Sequence, residues 1–150
     1  MLAHLCSCKP MNNPQTLFPQ HIFRAYDIRG KETVLTAKLV HAIAQGLVQQ
    51  YQQEKQTQIS IGYDARLNSP AYAEIMRQVF LAHQFQVTMV GCCSSPMLYF
   101  MARHTAGNGI MLTASHNPKS DNGIKWIVQG EPPTPEMIQH VAHDAAPYYL

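Results

Sequence analysis

Ser115, His116 and Asn117 stand side by side, Pro118 follows, and Lys125 lies shortly beyond. Pro118 biases Asn117 away from helical backbone and so helps to shape the loop. A serine hydroxyl is a weak nucleophile until a base or a nearby charge assists it. A phosphorylated serine differs, carrying about −1.5 to −2 charge and strong acceptor oxygens. Cations and N–H donors must then stand close by. Lys125, His116 and Arg29 are the side chains that could supply them. Asn-Pro and Asn-Gly are also ordinary turn chemistry, so the loop taken alone reads more readily as a bland surface turn. A serine-hydrolase reading is weaker, because Ser115 has Thr113-Ala114 before it and no G-x-S-x-G elbow around it.

The elements that must position this loop alternate between strand and helix, the pattern of an α/β layered domain. Thr36 is placed to cap a helix running to about Gln53, with Leu39, Val40, Ile43, Leu47, Val48 and Tyr51 on its apolar face. Gln58 to Tyr63 reads as a short buried strand. Ser69-Pro70 reads as a helix start, a cap residue and then proline at the first helical position. That helix carries Tyr72, Ile75, Met76, Val79, Phe80 and His83 on one side. Gln86 to Val90 reads as a strand, and Pro96 to about His104 as a short helix. Gly109 to Thr113 is an apolar strand that runs into the serine. Asp121-Asn122-Gly123 reads as a turn and Ile124 to Val128 as the strand leaving it. Thr134-Pro135 opens a last helix expected to stop near Ala146. A loop at the carboxyl end of an α/β strand is the usual place for a site.

The 150 residues are enough for one compact domain, and 46% hydrophobic against 13% charged residues suits a folded chain. A formal net charge of +2 without a Lys/Arg cluster argues against nucleic acid as a partner. No apolar run approaches the ~20 residues of a membrane helix, and Met1 to Pro10 lacks the plan of a signal peptide. Residues 1–17 read as a poorly ordered leader and 18–150 as the domain. Cys6, Cys8, Cys92 and Cys93 form pairs too close for a disulfide framework, which favours a cytoplasmic setting. Cys6 with Cys8, and His140 with His143, lack the further ligands of a metal site.

Three segments carry a family resemblance. Gly109-Ile110-Met111-Leu112-Thr113-Ala114-Ser115-His116-Asn117-Pro118, with Asp121-Asn122-Gly123-Ile124-Lys125, resembles the active-serine loop of the α-D-phosphohexomutases. Phe23 to Gly30 resembles the opening motif of the phosphomannomutase/phosphoglucomutase branch. Gly62 to Pro70 resembles a third family segment, after the first helix. In two places the sequence departs from the pattern. Tyr63 stands where an arginine is often found, and Ser94-Ser95-Pro96 replaces a Pro-Thr-Pro-like turn.

The resemblance implies the family's N-terminal domain. This is a three-layer α/β/α fold with a mixed, mostly parallel sheet. It also implies that a phosphoserine gives its phosphoryl group to a hexose monophosphate and takes one back from a hexose 1,6-bisphosphate. Ser115 matches the phosphate carrier, and its phosphate would be one ligand of a Mg²⁺ ion. Lys125 matches the lysine that acts as acid or base, and His116 lies in the same catalytic loop. Arg29 would stabilise phosphate charge, while Tyr26 and Asn117, with Arg29 and Lys125, would meet the substrate. Hexose 1,6-bisphosphate is the implied activator and a hexose phosphate the implied substrate, with glucosamine phosphate an open alternative. Arg24 and Asp27 are expected to pair structurally, with each other or with Arg66 and Asp64.

Family enzymes have four domains, and no D-G-D-type metal run occurs in these 150 residues. The 150-residue chain alone is therefore expected to be inactive, with the remaining mutase domains supplied in a longer or separate chain. A non-catalytic phosphosugar- or partner-binding module, or the remnant of a truncated gene, is the alternative. Ile138 to Leu150 is the expected apolar surface left for a partner domain.

Overall fold

The structure is a computed structural model that describes residues 17–150. The leader expected over residues 1–17 and the Cys6–Cys8 pair therefore lie outside the described residues, apart from Leu17. In chain order the elements are β1 (Ile28–Lys31), α1 (Ala37–Gln53), β2 (Gln58–Tyr63), α2 (Ser69–Ala82), β3 (Gln86–Cys92), α3 (Ser95–Met101), β4 (Gly109–Leu112), β5 (Asp121–Ile127) and α4 (Pro135–Tyr149). A short 3₁₀ helix, Ala102–Thr105, extends α3, and another, Gln20–Ile22, precedes β1.

The five strands form one sheet in the order β1-β5-β4-β2-β3. β2 pairs in parallel with both β3 and β4, whereas β5 pairs antiparallel with both β4 and β1. The sheet is mixed, as expected, but its pairings divide evenly rather than being mostly parallel. The cause is that β4 returns into β5 through a short loop, which can only reverse the chain.

Strand alternation sorts the two faces. Ile59, Ile61, Ile110, Leu112, Ile124 and Trp126 join one buried core with α1, α2 and α4. The opposite face carries small residues where α3 and its 3₁₀ extension pack. There Ser60 Oγ meets Thr105 Oγ1 at 2.8 Å. A Cβ at Gly109 would stand 3.1 Å from Ala102 Cβ. The layers are thus α1/α2/α4, the sheet, and the short α3 segment. Gln50 stitches three elements: Trp126 Nε1 donates to its Oε1 at 2.8 Å, and its Nε2 donates to Met137 O at 2.9 Å.

The helix starts mostly follow their caps. Thr36, Ser94 and Thr134 each accept the N–H three residues on. Ser69 does not, contrary to expectation. Asn68 is the flanking residue of α2, and the Ser69 hydroxyl donates instead to Asp64 Oδ1 at 2.7 Å. His83 is exposed beyond the buried face of α2. α4 runs past Ala146 to Tyr149 with Pro147 inside it. So near the helix end, the proline removes little more than one backbone bond. Ile138, Val141, Ala142 and Ala145 are buried in the core, so the expected apolar face of that segment is already covered. Of its large hydrophobic side chains, only Tyr148 and Leu150 at the end are exposed. Among the described residues, no helix is long and apolar enough to cross a membrane.

Candidate functional site

β2 and β4 are parallel neighbours, so their carboxyl ends meet at one edge of the sheet. Asp64, just past β2, donates its N–H to Leu112 O at 3.1 Å, and Thr113 follows β4. The reversal between β4 and β5 occupies residues 113–120 and presents Ser115. Asp121-Asn122-Gly123, expected as the turn, is instead the start of β5 and pairs with β1. Asn122 is buried, and its side chain serves Asn68, Ser69 and the N–H of Gly123. The asparagine that suggested a turn is thus bound into the core. Gly123 is required by its neighbours, since a Cβ there would lie 2.5 Å from Ile28 O and 2.8 Å from Thr113 O.

Ser115 is exposed and has a φ of 55°, in the left-handed region that non-glycine residues enter at a cost. The surroundings hold it there. Its N–H donates to Thr113 Oγ1 at 3.0 Å, and its carbonyl accepts from Arg66 at 2.9 Å. Asn117 N–H closes the turn onto Ala114 O at 3.1 Å. Asp64 anchors the assembly. Its Oδ1 accepts from Ser69 Oγ at 2.7 Å and Arg66 N at 3.1 Å, and its Oδ2 accepts from Thr113 Oγ1 at 2.8 Å and Arg66 Nε at 3.1 Å. Burial alone would raise the Asp64 carboxyl, but those hydrogen bonds and the Arg66 charge outweigh it and hold the group below the usual carboxylate range.

Arg29 on β1 faces the loop from the other side. It donates to Asn117 Oδ1 at 2.6 Å and to Asp27 Oδ2 at 2.8 Å, while Asn117 Nδ2 donates to Asp121 Oδ2 at 3.0 Å. Arg24 also pairs with Asp27 at 2.8 Å, and Arg66 pairs with Asp64, so the structural pairs expected from the sequence form within each motif. Arg29 Nε is buried with no hydrogen-bond partner among the described residues. Buried donors are seldom left unpaired, so an unpaired one at such an edge fits an acceptor that arrives with a ligand.

The remaining candidates are less gathered. Lys125 pairs in register with Met111, on the same face of the sheet as Arg29, and is half-buried with no ion pair among the described residues. His116 is exposed. Tyr26 is 84% exposed in the loop before β1. A cleft of about 630 Å³ is lined by Glu32, Asp64, Ala65, Arg66, Leu67, Ser115, Asn117 and Lys119. Of the expected site residues, only Ser115 and Asn117 line it. Leu67, wholly exposed at this cleft, and Arg66 were not anticipated as site residues. The closeness of Arg66 to Asp64, and its place in the family-like segment from Gly62 to Pro70, were the signals that hinted at a role. Among the described residues, no three His, Cys, Asp or Glu side chains gather as a metal site. The described residues do not offer Mg²⁺ a ligand set of their own.

A mixed α/β/α domain that presents a serine on a braced loop at the carboxyl edge of its sheet defines a class, and the comparisons agree. The family model described as "Phosphoglucomutase/phosphomannomutase, alpha/beta/alpha domain I" matches residues 20–147. The chain belongs to that phosphohexomutase family, as its domain I. It is 37% identical over 134 residues to a phosphomannomutase/phosphoglucomutase of Pseudomonas syringae pv. tomato, covering 86% of this chain and 29% of the relative. It is 37% identical over 122 residues to a phosphoglucomutase of Neisseria meningitidis serogroup B, covering 80% and 26%. A phosphoglucomutase/phosphomannomutase family structure from Burkholderia thailandensis superposes with a TM-score of 0.80 at 26% identity, covering 85% of this chain and 30% of that one. The chain thus spans under a third of the length of these relatives.

Proposed function

We propose that this domain supplies the phosphate-carrying serine of a mutase that interconverts hexose 1-phosphate and hexose 6-phosphate. The observation that carries the reading is the pose of Ser115: exposed, left-handed and pinned at both its N–H and its carbonyl. A nucleophile or phosphate held this way needs no rearrangement at the moment of transfer.

In the forward step the sugar hydroxyl oxygen bonds to phosphorus as the bond to Ser115 Oγ breaks. The sugar's proton leaves to a base, and the bisphosphate then returns its other phosphate to Ser115. Arg29 stabilises the transferring oxygens through donors not spent on Asp27 and Asn117. Lys125, on the same sheet face, acts as the acid or base, and His116 beside Ser115 adds charge near the phosphate. Exposed Tyr26 and cleft-lining Asn117 meet the sugar phosphate. When bound, Mg²⁺ neutralises phosphate charge, with Ser115 phosphate as this chain's ligand and the others coming from outside these residues. Hexose 1,6-bisphosphate would phosphorylate Ser115 and so activate the enzyme.

Groups that act as a unit lose nearly all rate when most are removed. The 150-residue chain alone is therefore expected to show no mutase turnover. Joined to the remaining domains of a relative, it should interconvert hexose phosphates, and Ser115→Ala should abolish that. Turnover that survives Ser115→Ala would remove Ser115 from the mechanism.

A further inference from the structure

We infer that Arg66 is the positioning residue of the serine loop, a role distinct from that of Arg29. A guanidinium carries five N–H donors in a fixed planar fork. In Arg66 every one is engaged. Nε donates to Asp64 Oδ2 at 3.1 Å, one terminal nitrogen to Pro118 O at 2.6 Å and Asp121 O at 3.0 Å, and the other to Ser115 O and Asn117 O, both at 2.9 Å. Three backbone carbonyls of one short loop and that of Asp121, the first residue of β5, thus converge on a single side chain that is only 11% exposed. No donor remains for a phosphate, whereas Arg29 keeps its Nε unpaired. One arginine of the site is free to receive charge, and the other is fully used in shaping the loop that delivers it.

The geometry explains how a left-handed Ser115 persists. Carbonyls that would otherwise turn toward solvent are drawn to one point, and Asp64 fixes that point by holding Arg66 through Nε and its own backbone N–H. Lysine cannot reproduce this, since an ammonium has three donors and no planar fork. Arg66→Lys should therefore keep the charge and lose the shape.

The inference rests on the mutase reading only for its kinetic consequence, so the test has two readouts. In the 150-residue chain, nitrogen-15 exchange spectroscopy should find the wild-type Arg66 guanidinium rotationally restricted, and Arg66→Lys should make the amides of 114–117, 119 and 120 mobile while the sheet amides stay in place. A freely rotating wild-type guanidinium, or a loop equally ordered in Arg66→Lys, would overturn the inference. The wild-type measurement needs no variant to fold. In the mutase completed with a relative's remaining domains, Arg66→Lys should lower kcat by about 10–100-fold, the scale set by a misplacement near 1 Å, with KM changed less than about threefold. An unchanged kcat would equally overturn it. If the wild-type completed enzyme shows no turnover, the mutase reading fails, while the guanidinium and loop amides still decide the role of Arg66.

Discussion

Replacing Asp64 with asparagine is the sharpest probe of how the site is braced. Each carboxylate oxygen receives two donors: Oδ1 from Ser69 and the Arg66 N–H, Oδ2 from Thr113 and Arg66 Nε. An amide offers only one acceptor atom. Its better orientation keeps the oxygen toward Arg66 Nε and Thr113 and turns the NH₂ toward Ser69, whose hydroxyl can rotate to accept. The Arg66 N–H then faces another donor, an orphan that costs about 1–3 kcal/mol. The ion pair adds up to ~1 kcal/mol, because the Asp64 side chain is 22% exposed and solvent screens it. The sum is about 1–4 kcal/mol, or roughly 2–16 °C in Tm for a domain of this size. A pH signature distinguishes this from general damage. The folded carboxyl titrates below its ordinary value, so its contribution is complete above the unfolded value of about 3.9 and is lost as pH falls through the folded one. Melts followed by circular dichroism from pH 7 down to about pH 3 should show the gap between wild type and Asp64→Asn narrowing toward acid. Equal Tm values at pH 7, or a gap that widens as pH falls, would refute the reasoning.

Two further substitutions test the frame around the site. Gly123→Ala places a Cβ within 2.5–2.8 Å of two backbone oxygens, so β1 must part from β5. The expected cost is about 1–3 kcal/mol, with shifted amide resonances at 28–30 and 113–117; an unchanged Tm and unmoved resonances would contradict it. Gln50→Leu orphans the buried Trp126 indole N–H, tied to it at 2.8 Å, and removes the second donor of the Met137 carbonyl, which keeps its bond within α4. Urea unfolding should show a loss of about 1–3 kcal/mol, and an unchanged midpoint would contradict that bridge.

Much of this architecture could be read from residue patterns because local chemistry decides it. The apolar stripe from Leu39 to Tyr51 and the cap at Thr36 place α1 within a residue, and Gln58–Tyr63 is β2 as expected. What escaped was decided by partners that no local pattern reveals. Ser69 has every mark of a cap, yet Asp64, brought beside it by the fold, takes its hydroxyl. Asp121-Asn122-Gly123 has every mark of a turn, yet β1 claims it as a strand and Asn68 and Ser69 take the Asn122 amide. β1 itself, only Ile28–Lys31, is too short to show a period. The same holds in the site. Ser115 and Asn117 stand out as a motif, but the bonds from Arg66 to the loop carbonyls join positions about fifty residues apart and leave no mark in local sequence.

The most direct test of the account is the position of phosphate in the completed mutase. The chain, joined to the remaining domains of a relative, is incubated with hexose 1,6-bisphosphate and Mg²⁺, and its peptides are mapped by mass spectrometry. The account predicts phosphate on Ser115 alone, discharged when a hexose monophosphate is added in excess. An enzyme that turns over with Ser115 unmodified, or with its phosphate on another residue, would contradict it.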